Sequence, residues 1–477
     1  MTFGPYDMLM DFALMSILLF VAQVMRSKIK IIQNLYLPSS LIAGFIGLFL
    51  GYQFLDVIPF SENIGSYPFL LVVVLFASLF IGIKEKQSLK KVIDKVGDSF
   101  TLNMAAEFGQ FGFAILAGTM MLLTFFPEVY HPFALLLPAG FVGGHGYAAA
   151  IGGALQDLTG WDEAITIGQT FATIGLLLGI FGGLIMINIA TRTKATRFIK
   201  TMGELPKSMQ TGLVPPSEQV SMGKQTVNPM SIDPLSWHVL LILVATAGGY
   251  YGTNWLNGIF NISLPMMSVA MLTGVILNGL LNLTNMNQYV DKAVVTRIGS
   301  SSTDYLVAFG VASIRISVVV QYAVPIILMV LLGILFCLFN VYFIGRTLFR
   351  NFWFERSIFM FGWTTGVVAM GVTLLRIVDP EFRSKTLEDY GMAYVFIAIV
   401  EVFIVTITPL YVVMGPGHAM VAGAVLLLLA VALWIITGVR YGFYKGSMST
   451  IRDGEAEAIE SYYASKGALE VAEDLLD

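Results

Sequence analysis

Residues 137–155 read LPAGFVGGHGYAAAIGGAL, and the reading of this stretch decides the fold. It is apolar enough for the depth of a membrane. Yet Gly143, Gly144, His145 and Gly146 stand together at its middle, with Gly152 and Gly153 beyond. Such a run interrupts a helix, because glycine loses the most backbone freedom on ordering and leaves backbone groups uncovered. Non-helical backbone persists at membrane depth only where protein or a water-filled cavity encloses it. Two readings follow. One is a kinked packing helix whose small residues admit a close neighbour. The other is a re-entrant hairpin that enters and leaves the same face. The rest of the chain separates them.

The chain has 477 residues, 56% of them hydrophobic and 12% charged. Soluble proteins carry about 25% charged residues, so this is an all-α polytopic membrane protein. Its net charge of −4 says little, because the placement of charges matters more than their sum. The single cysteine, Cys337, excludes an internal disulfide and a thiolate metal site. The four histidines are scattered, so no transition-metal site and no cofactor are expected. Asp7 and Asp11, with no Lys or Arg before the first apolar run, argue against a cleavable signal peptide.

Spanning segments are expected at Met8–Met25, Leu37–Leu55, Pro68–Ile83, Asp98–Phe126 and Ala164–Ile189. Basic residues follow the first (Arg26, Lys28, Lys30), the third (Lys84 to Lys95) and the last (Arg192 to Lys207). Positive charge marks the cytoplasmic side. All three basic loops share that side only if the N-terminus lies outside and the 137–155 stretch does not cross. Charge therefore favours the hairpin, entering from outside. Ser236–Trp255 and Ile262–Leu283 span next, followed by Lys292 and Arg297, inside by the same alternation. Tyr305–Gly345 holds two spans, the first one short, broken by Arg315, Gln321 and Pro325. Ile358–Val378 has basic residues at both ends and reads as a second hairpin, entering from inside. Tyr390–Val413 and Ala419–Gly438 span last, and Arg440, Lys445 and Arg452 place the C-terminus in the cytoplasm.

The two halves share this order. Leu37-Pro38 is echoed by Leu264-Pro265, and Gly144 with Gly153 by Gly362 with Gly371. Lys84 is echoed by Arg315. Five spans are an odd number, so the second half enters upside down, as in secondary transporters whose site lies where broken helices meet. The expected domains are a first inverted repeat at 1–202, a Pro-rich cytoplasmic linker at 203–234 and a second repeat at 235–414. An additional transmembrane helix at 415–440 and an acidic tail at 441–477 follow, the tail reading as a solvated surface helix.

Half-helices starting near Gly146 and Gly366 would turn unpaired N–H groups and partial positive charge toward a carboxylate. Gly143, Gly144, His145, Gly146 and Tyr147 in the first half, with Thr364, Thr365, Gly366 and Thr373 in the second, are the candidate substrate contacts, and Arg315 at its break is another. Thr170 and Thr173 offer oxygens for a hard cation, although a membrane threonine also bonds its own helix. Ionisable residues within spans are costly and point to function. Glu107, with Gln110 one turn on, and Glu401 are thus candidates for a coupling cation or proton. Gly175, Gly179 and Gly183 form a small-residue ridge that close helix packing explains. No acid/base pair or nucleophile is visible in the spans, which argues against an enzyme, and no repeated filter motif suggests a channel.

GGHGYAAA at 143–150, GQTFATIGLLLGIFGG at 168–183 and the Leu-Pro starts at 37 and 264 resemble the bacterial sodium/glutamate symporter family. The order of segments agrees over roughly residues 5–412. The resemblance implies sodium-coupled uptake of glutamate across the bacterial inner membrane, two five-span inverted repeats with re-entrant hairpins, a homodimer, and elevator-type movement of a transport domain. Sodium is then the coupling ion, and no nucleic-acid partner is expected. The sequence departs from the family at Tyr147, where a small residue is usual, and at Trp363, where a Gly-His start is usual. Val372-Thr373 also lacks a proline. Those departures leave room for another carboxylate as cargo, with cation or proton coupling, or for a ligand-binding membrane sensor.

Overall fold

The computed structural model describes residues 4–34, 37–84, 89–199, 211–216, 219, 221–260, 266–452 and 454–465. Leu264, Pro265, residues 203–210 of the linker and the distal tail acids Glu470, Glu473 and Asp474 lie outside the described residues. The described residues are helical, with no strand among them.

The first half runs α1 (Pro5–Lys28), α2 (Ser39–Leu50), α3 (Tyr67–Ser78), α4 (Leu89–Phe125), α5 (Phe133–Val142), α6 (Gly144–Thr159) and α7 (Ala164–Arg192). The second runs α8 (Pro234–Phe260), α9 (Met266–Leu283), α10 (Lys292–Ala312), α11 (Ala323–Phe339), α12 (Trp353–Gly366), α13 (Val368–Val378) and α14 (Thr386–Val412). Then come α15 (Pro416–Tyr441) and α16 (Glu455–Ser465). The same sequence of elements thus recurs. Three helices lead to a fourth (in the second half α11 continues through further helical turns to Leu348), then a pair broken at one point, then a long closing helix. Among the described residues seven helices are long and apolar enough to cross a membrane, or eight with the bent α14.

Helices sort into two groups by their packing. The first three of each half, α1–α3 and α8–α10, pack mainly on one another; α4–α7 and α11–α15 do the same. Small residues allow these close crossings. A Cβ on Gly44 of α2 would stand 2.6 Å from Cβ of Val311 in α10, and one on Gly274 of α9 would stand 2.6 Å from the Ala77 carbonyl of α3. In the second group, a Cβ on Gly112 of α4 would lie 2.4 Å from the Leu427 amide of α15. The additional helix α15 is therefore packed into the second group rather than appended to it.

Local chemistry fixes several ends. Gly160 closes α6 in the left-handed region at φ +71°, its N–H donating to the Gln156 carbonyl at 2.7 Å. Asp291 caps α10 by accepting from the Ala293 amide at 2.8 Å. The next residue, Lys292, sends its ammonium to the carbonyls of Ser78, Leu79 and Ile81 at 3.2, 2.6 and 3.0 Å. A cation there meets the negative end of α3. Lys292 and Arg297 both lie within α10, which starts well before Tyr305, where the short span is expected to begin.

The tail also differs from expectation. Helix α16 is docked, not solvated. Glu455 is fully buried and pairs with Arg197 Nε at 2.8 Å, and Ile459, Tyr462 and Tyr463 pack with Phe198 and Phe352. Its acidic sequence hides an apolar face at i, i+3 and i+4.

Candidate functional site

The two breaks in the broken pairs define the candidate site. The first lies at Gly143–Gly144, between α5 and α6. Gly144 has φ +57°, a conformation that glycine adopts without steric cost. Gly143 lies beneath the Tyr147 ring, where a Cβ would come within 1.8 Å of Tyr147 Cγ. The second break lies at Gly366–Val367, between α12 and α13. Val367 holds φ +77°, ψ 162°, a region that is nearly glycine-only. Here the chain folds back sharply: a Cβ on Gly362 would lie 2.6 Å from the Gly371 Cα.

The two breaks touch. A Cβ on Gly144 would stand 2.4 Å from Val367 Cγ1. Helices α6 and α13 both begin at this contact, at Gly144 and Val368 rather than near Gly146 and Gly366. Helix α7 carries both breaks. Its Gly168 packs against Ala148 of α6, with a Cβ 3.1 Å from the Ala148 carbonyl. Its Gly175 and Gly179 receive Thr365, with a Cβ 2.4 Å from the Thr365 carbonyl and 2.8 Å from its hydroxyl respectively. Gly183 meets Leu374 of α13 in the same way, at 2.5 Å. The ridge Gly175–Gly179–Gly183 is therefore the bed of the second broken pair.

His145 follows the first break and is buried. Its Nε2 lies 3.0 Å from Thr173 Oγ1, whose own proton goes to the Gln169 carbonyl at 2.9 Å. A hydroxyl has one proton to give, so Nε2 is the donor and the ring presents Nδ1 as its other face. Gln169 Nε2 in turn donates to the His145 carbonyl at 3.2 Å, and Gly310 of α10 closes over the pair. Gly146, buried, has Val72 of α3 as its neighbour, with a Cβ 3.5 Å from Val72 Cγ2. Gly366 rests on Leu176 of α7, with a Cβ 3.0 Å from Leu176 Cα.

The other threonines are committed to their own helices. Thr364 donates to Met360 O at 2.8 Å, Thr365 to Phe361 O at 2.8 Å, Thr373 to Ala369 O at 2.9 Å and Thr170 to Thr166 O at 2.8 Å. Arg315 stands apart from the breaks. Its Nε donates to Thr166 Oγ1 at 3.1 Å and its Nη2 to the Asp162 carbonyl, tying the segment after α10 to the start of α7.

Glu107 and Glu401 belong to a second buried polar region, with Gln110 one turn from Glu107 on α4. Glu401 Oε2 accepts from Tyr147 Oη at 2.7 Å and from Tyr394 Oη at 3.2 Å. Glu107 of α4 is an electrostatic neighbour of Glu401 and of Tyr147, Tyr390 and Tyr394. Trp363 donates its indole N–H to Asn103 Oδ1 at 2.8 Å and lies with its ring 6.0 Å from that of Tyr390. Gln110 and Thr364 both approach the Cys337 thiol, at 3.7 and 3.8 Å. The expectation did not include Tyr390, Tyr394 or Asn103. Their spacing was a usable signal: Tyr390, Tyr394 and Glu401 fall on one face of α14, as Ser99, Asn103 and Glu107 do on α4. Tyr147 joins the two centres, with its ring on the first break and its hydroxyl on Glu401.

No curated protein matches this sequence. The family model described as sodium/glutamate symporter matches residues 5–373, from the start of α1 into α13, so Tyr390, Tyr394 and Glu401 lie beyond the matched segment. Together with the helices long and apolar enough to span a membrane, that match identifies a multi-pass membrane transporter: the chain belongs to the sodium/glutamate symporter family.

Proposed function

We propose that this protein takes up glutamate, or a similar anionic amino acid, coupled to sodium entry, by alternating access of the elevator type. The observation that carries the reading is the contact of the two helix breaks at Gly144 and Val367. Two helix starts meeting at one point gather unpaired N–H groups and positive helix ends, which suit a carboxylate. In this reading the halves are inverted repeats, with α5–α6 and α12–α13 as re-entrant hairpins from opposite faces. The group α4–α7 with α11–α15 is the moving body. The group α1–α3 with α8–α10 is the scaffold, through which two copies form a homodimer. The N-terminus is outside and the C-terminus cytoplasmic, in the bacterial inner membrane. His145 presents Nδ1 toward the substrate, while Thr173 fixes its ring.

Purified protein in liposomes takes up labelled glutamate under an inward sodium gradient. Uptake that ignores the gradients of both sodium and protons overturns the reading. His145→Ala lowers uptake at least tenfold while leaving the protein monodisperse; unchanged uptake reduces His145 to a structural role. A second cargo, another carboxylate, is favoured by the bulk of Tyr147 and Trp363 beside the breaks. Competition of unlabelled carboxylates against labelled glutamate separates the two. Binding without uptake would instead mark a sensor.

A further inference from the structure

Buried carboxylates in this protein have donors. Asp11 accepts from the Ser61 amide, the Ser61 hydroxyl and Tyr67 Oη at 2.9, 2.5 and 2.6 Å. Asp379 accepts from the amides of Arg383 and Ser384, both at 2.8 Å. Glu455 has Arg197. Glu107 breaks the pattern. It is fully buried, and neither of its carboxylate oxygens has a hydrogen-bond partner. Its electrostatic neighbour is a second carboxylate, Glu401. Tyr390, also buried, stacks at 5.6 Å on the ring of Tyr394, which donates to Glu401, and its hydroxyl is likewise without a partner.

An uncompensated carboxylate in a low-dielectric interior is strongly unfavourable, and two close together are worse. Among the described residues no Lys or Arg bonds either one. Tyr147 and Tyr394 donate only to Glu401, so its negative charge is supported while that of Glu107 is not. What the centre offers around Glu107 is oxygen: carboxylates and a phenol. Such a set suits a small hard cation. A cation held between the two carboxylates would let both be charged.

We propose that Glu107, Glu401 and Tyr390 hold the sodium ion of the symport, at a site separate from the helix breaks; the identity of the ion as the coupling ion rests on the proposed function, the site itself does not. The ion is linked to the substrate region through one side chain. Tyr147 keeps its ring over Gly143 and its hydroxyl on Glu401, so a cation that fixes the Glu401 carboxylate also fixes the first break.

The test measures binding of radioactive sodium to purified protein in detergent, with no amino acid present. The wild type binds saturably. Glu107→Gln and Glu401→Gln, which keep shape, weaken binding at least tenfold, and Tyr390→Phe weakens it about threefold. Should a glutamine variant fail to fold, Tyr390→Phe carries the test alone. A wild type without saturable sodium binding, or variants that bind as the wild type does, overturn the site. So does binding of a proton in place of sodium, seen as pH-driven uptake that sodium leaves unchanged. Sodium binding that Glu107→Gln removes, in a protein that carries no glutamate, keeps the site and refutes the cargo. Tyr147→Phe retains sodium binding, but sodium no longer tightens substrate binding; equal tightening in this variant removes Tyr147 from the link.

Discussion

The two helix breaks solve one steric problem by different means. At the first, glycine does the work: Gly144 adopts φ +57° freely, and Gly143 leaves room for the Tyr147 ring. At the second, Val367 is held at φ +77° and ψ 162°, where a β-branched residue is strained. Such a conformation persists only when its surroundings impose it. Helix α12, which leads into this break, is anchored at its start. Glu355 in the first turn of α12 accepts from the Arg197 amide at 2.7 Å, and Glu455 accepts from the Phe352 amide at 2.5 Å. The Arg197 guanidinium pairs with Glu455 at 2.8 Å and reaches the carbonyls of Lys194, Ser449 and Thr450. One break is thus written into its own residues, while the other ends a helix whose start is anchored by the segment after α7 and by the tail helix.

Removing the imposed support is expected to have the largest effect. Arg197→Met leaves Glu455 buried without its ion pair, at a cost of about 3–5 kcal/mol. The variant should melt well below the wild type, and protease should cut between α15 and α16 before the core is lost. A melting temperature within a degree or two of the wild type would mean that the tail does not anchor the start of α12.

The next test strikes the first break. Gly144→Ala forces an alanine into the left-handed region and sets its Cβ 2.4 Å from Val367 Cγ1. Left-handed backbone and overpacking together cost about 2–4 kcal/mol. Sodium-driven uptake should fall more than tenfold, and a thermal scan should show the loss. Normal uptake would show that the tip contact is dispensable.

How much of this was legible in the sequence follows from the same contrast. Gly143–Gly146 announces a break because glycine's chemistry is local. The charges of the basic loops are local too, and a helix stands at each expected span, although α2 and α3 are shorter than a membrane crossing needs. Val367 announces nothing, since nothing in a β-branched side chain favours its backbone conformation; the sequence therefore puts the second break a residue or two early, around Thr364–Gly366. The threonines read as oxygen donors spend their hydroxyls on their own helices, which spacing alone does not reveal. Glu107 and Glu401 stood out singly as charges within spans. Their meeting, across nearly three hundred residues, is a tertiary fact, as is the burial of Glu455 in a tail whose composition reads as solvated.

Relieving the strain sharpens the comparison in the other direction. Val367→Gly removes a conformational cost of about 1–3 kcal/mol and loses one side-chain contact with Gly144. The net expectation is a stabilisation of about 1 kcal/mol, read as a rise in melting temperature. A fall would show that the Val367 side chain holds the two breaks together more strongly than its backbone opposes them.

The smallest effect is expected at Thr373, which the sequence places beside the second break and the structure places two turns past it. Its hydroxyl donates to the Ala369 carbonyl at 2.9 Å, within its own helix and partly exposed. That carbonyl keeps its helical partner when the hydroxyl is removed, and no other group relies on it. Thr373→Ala should therefore change stability by less than about 0.5 kcal/mol, and leave the half-saturating concentrations of both glutamate and sodium unchanged. A shift in either one, at equal stability, would mean that α13 rotates during transport and brings Thr373 to the substrate, so that the second break moves while the glycine-built first break stays fixed.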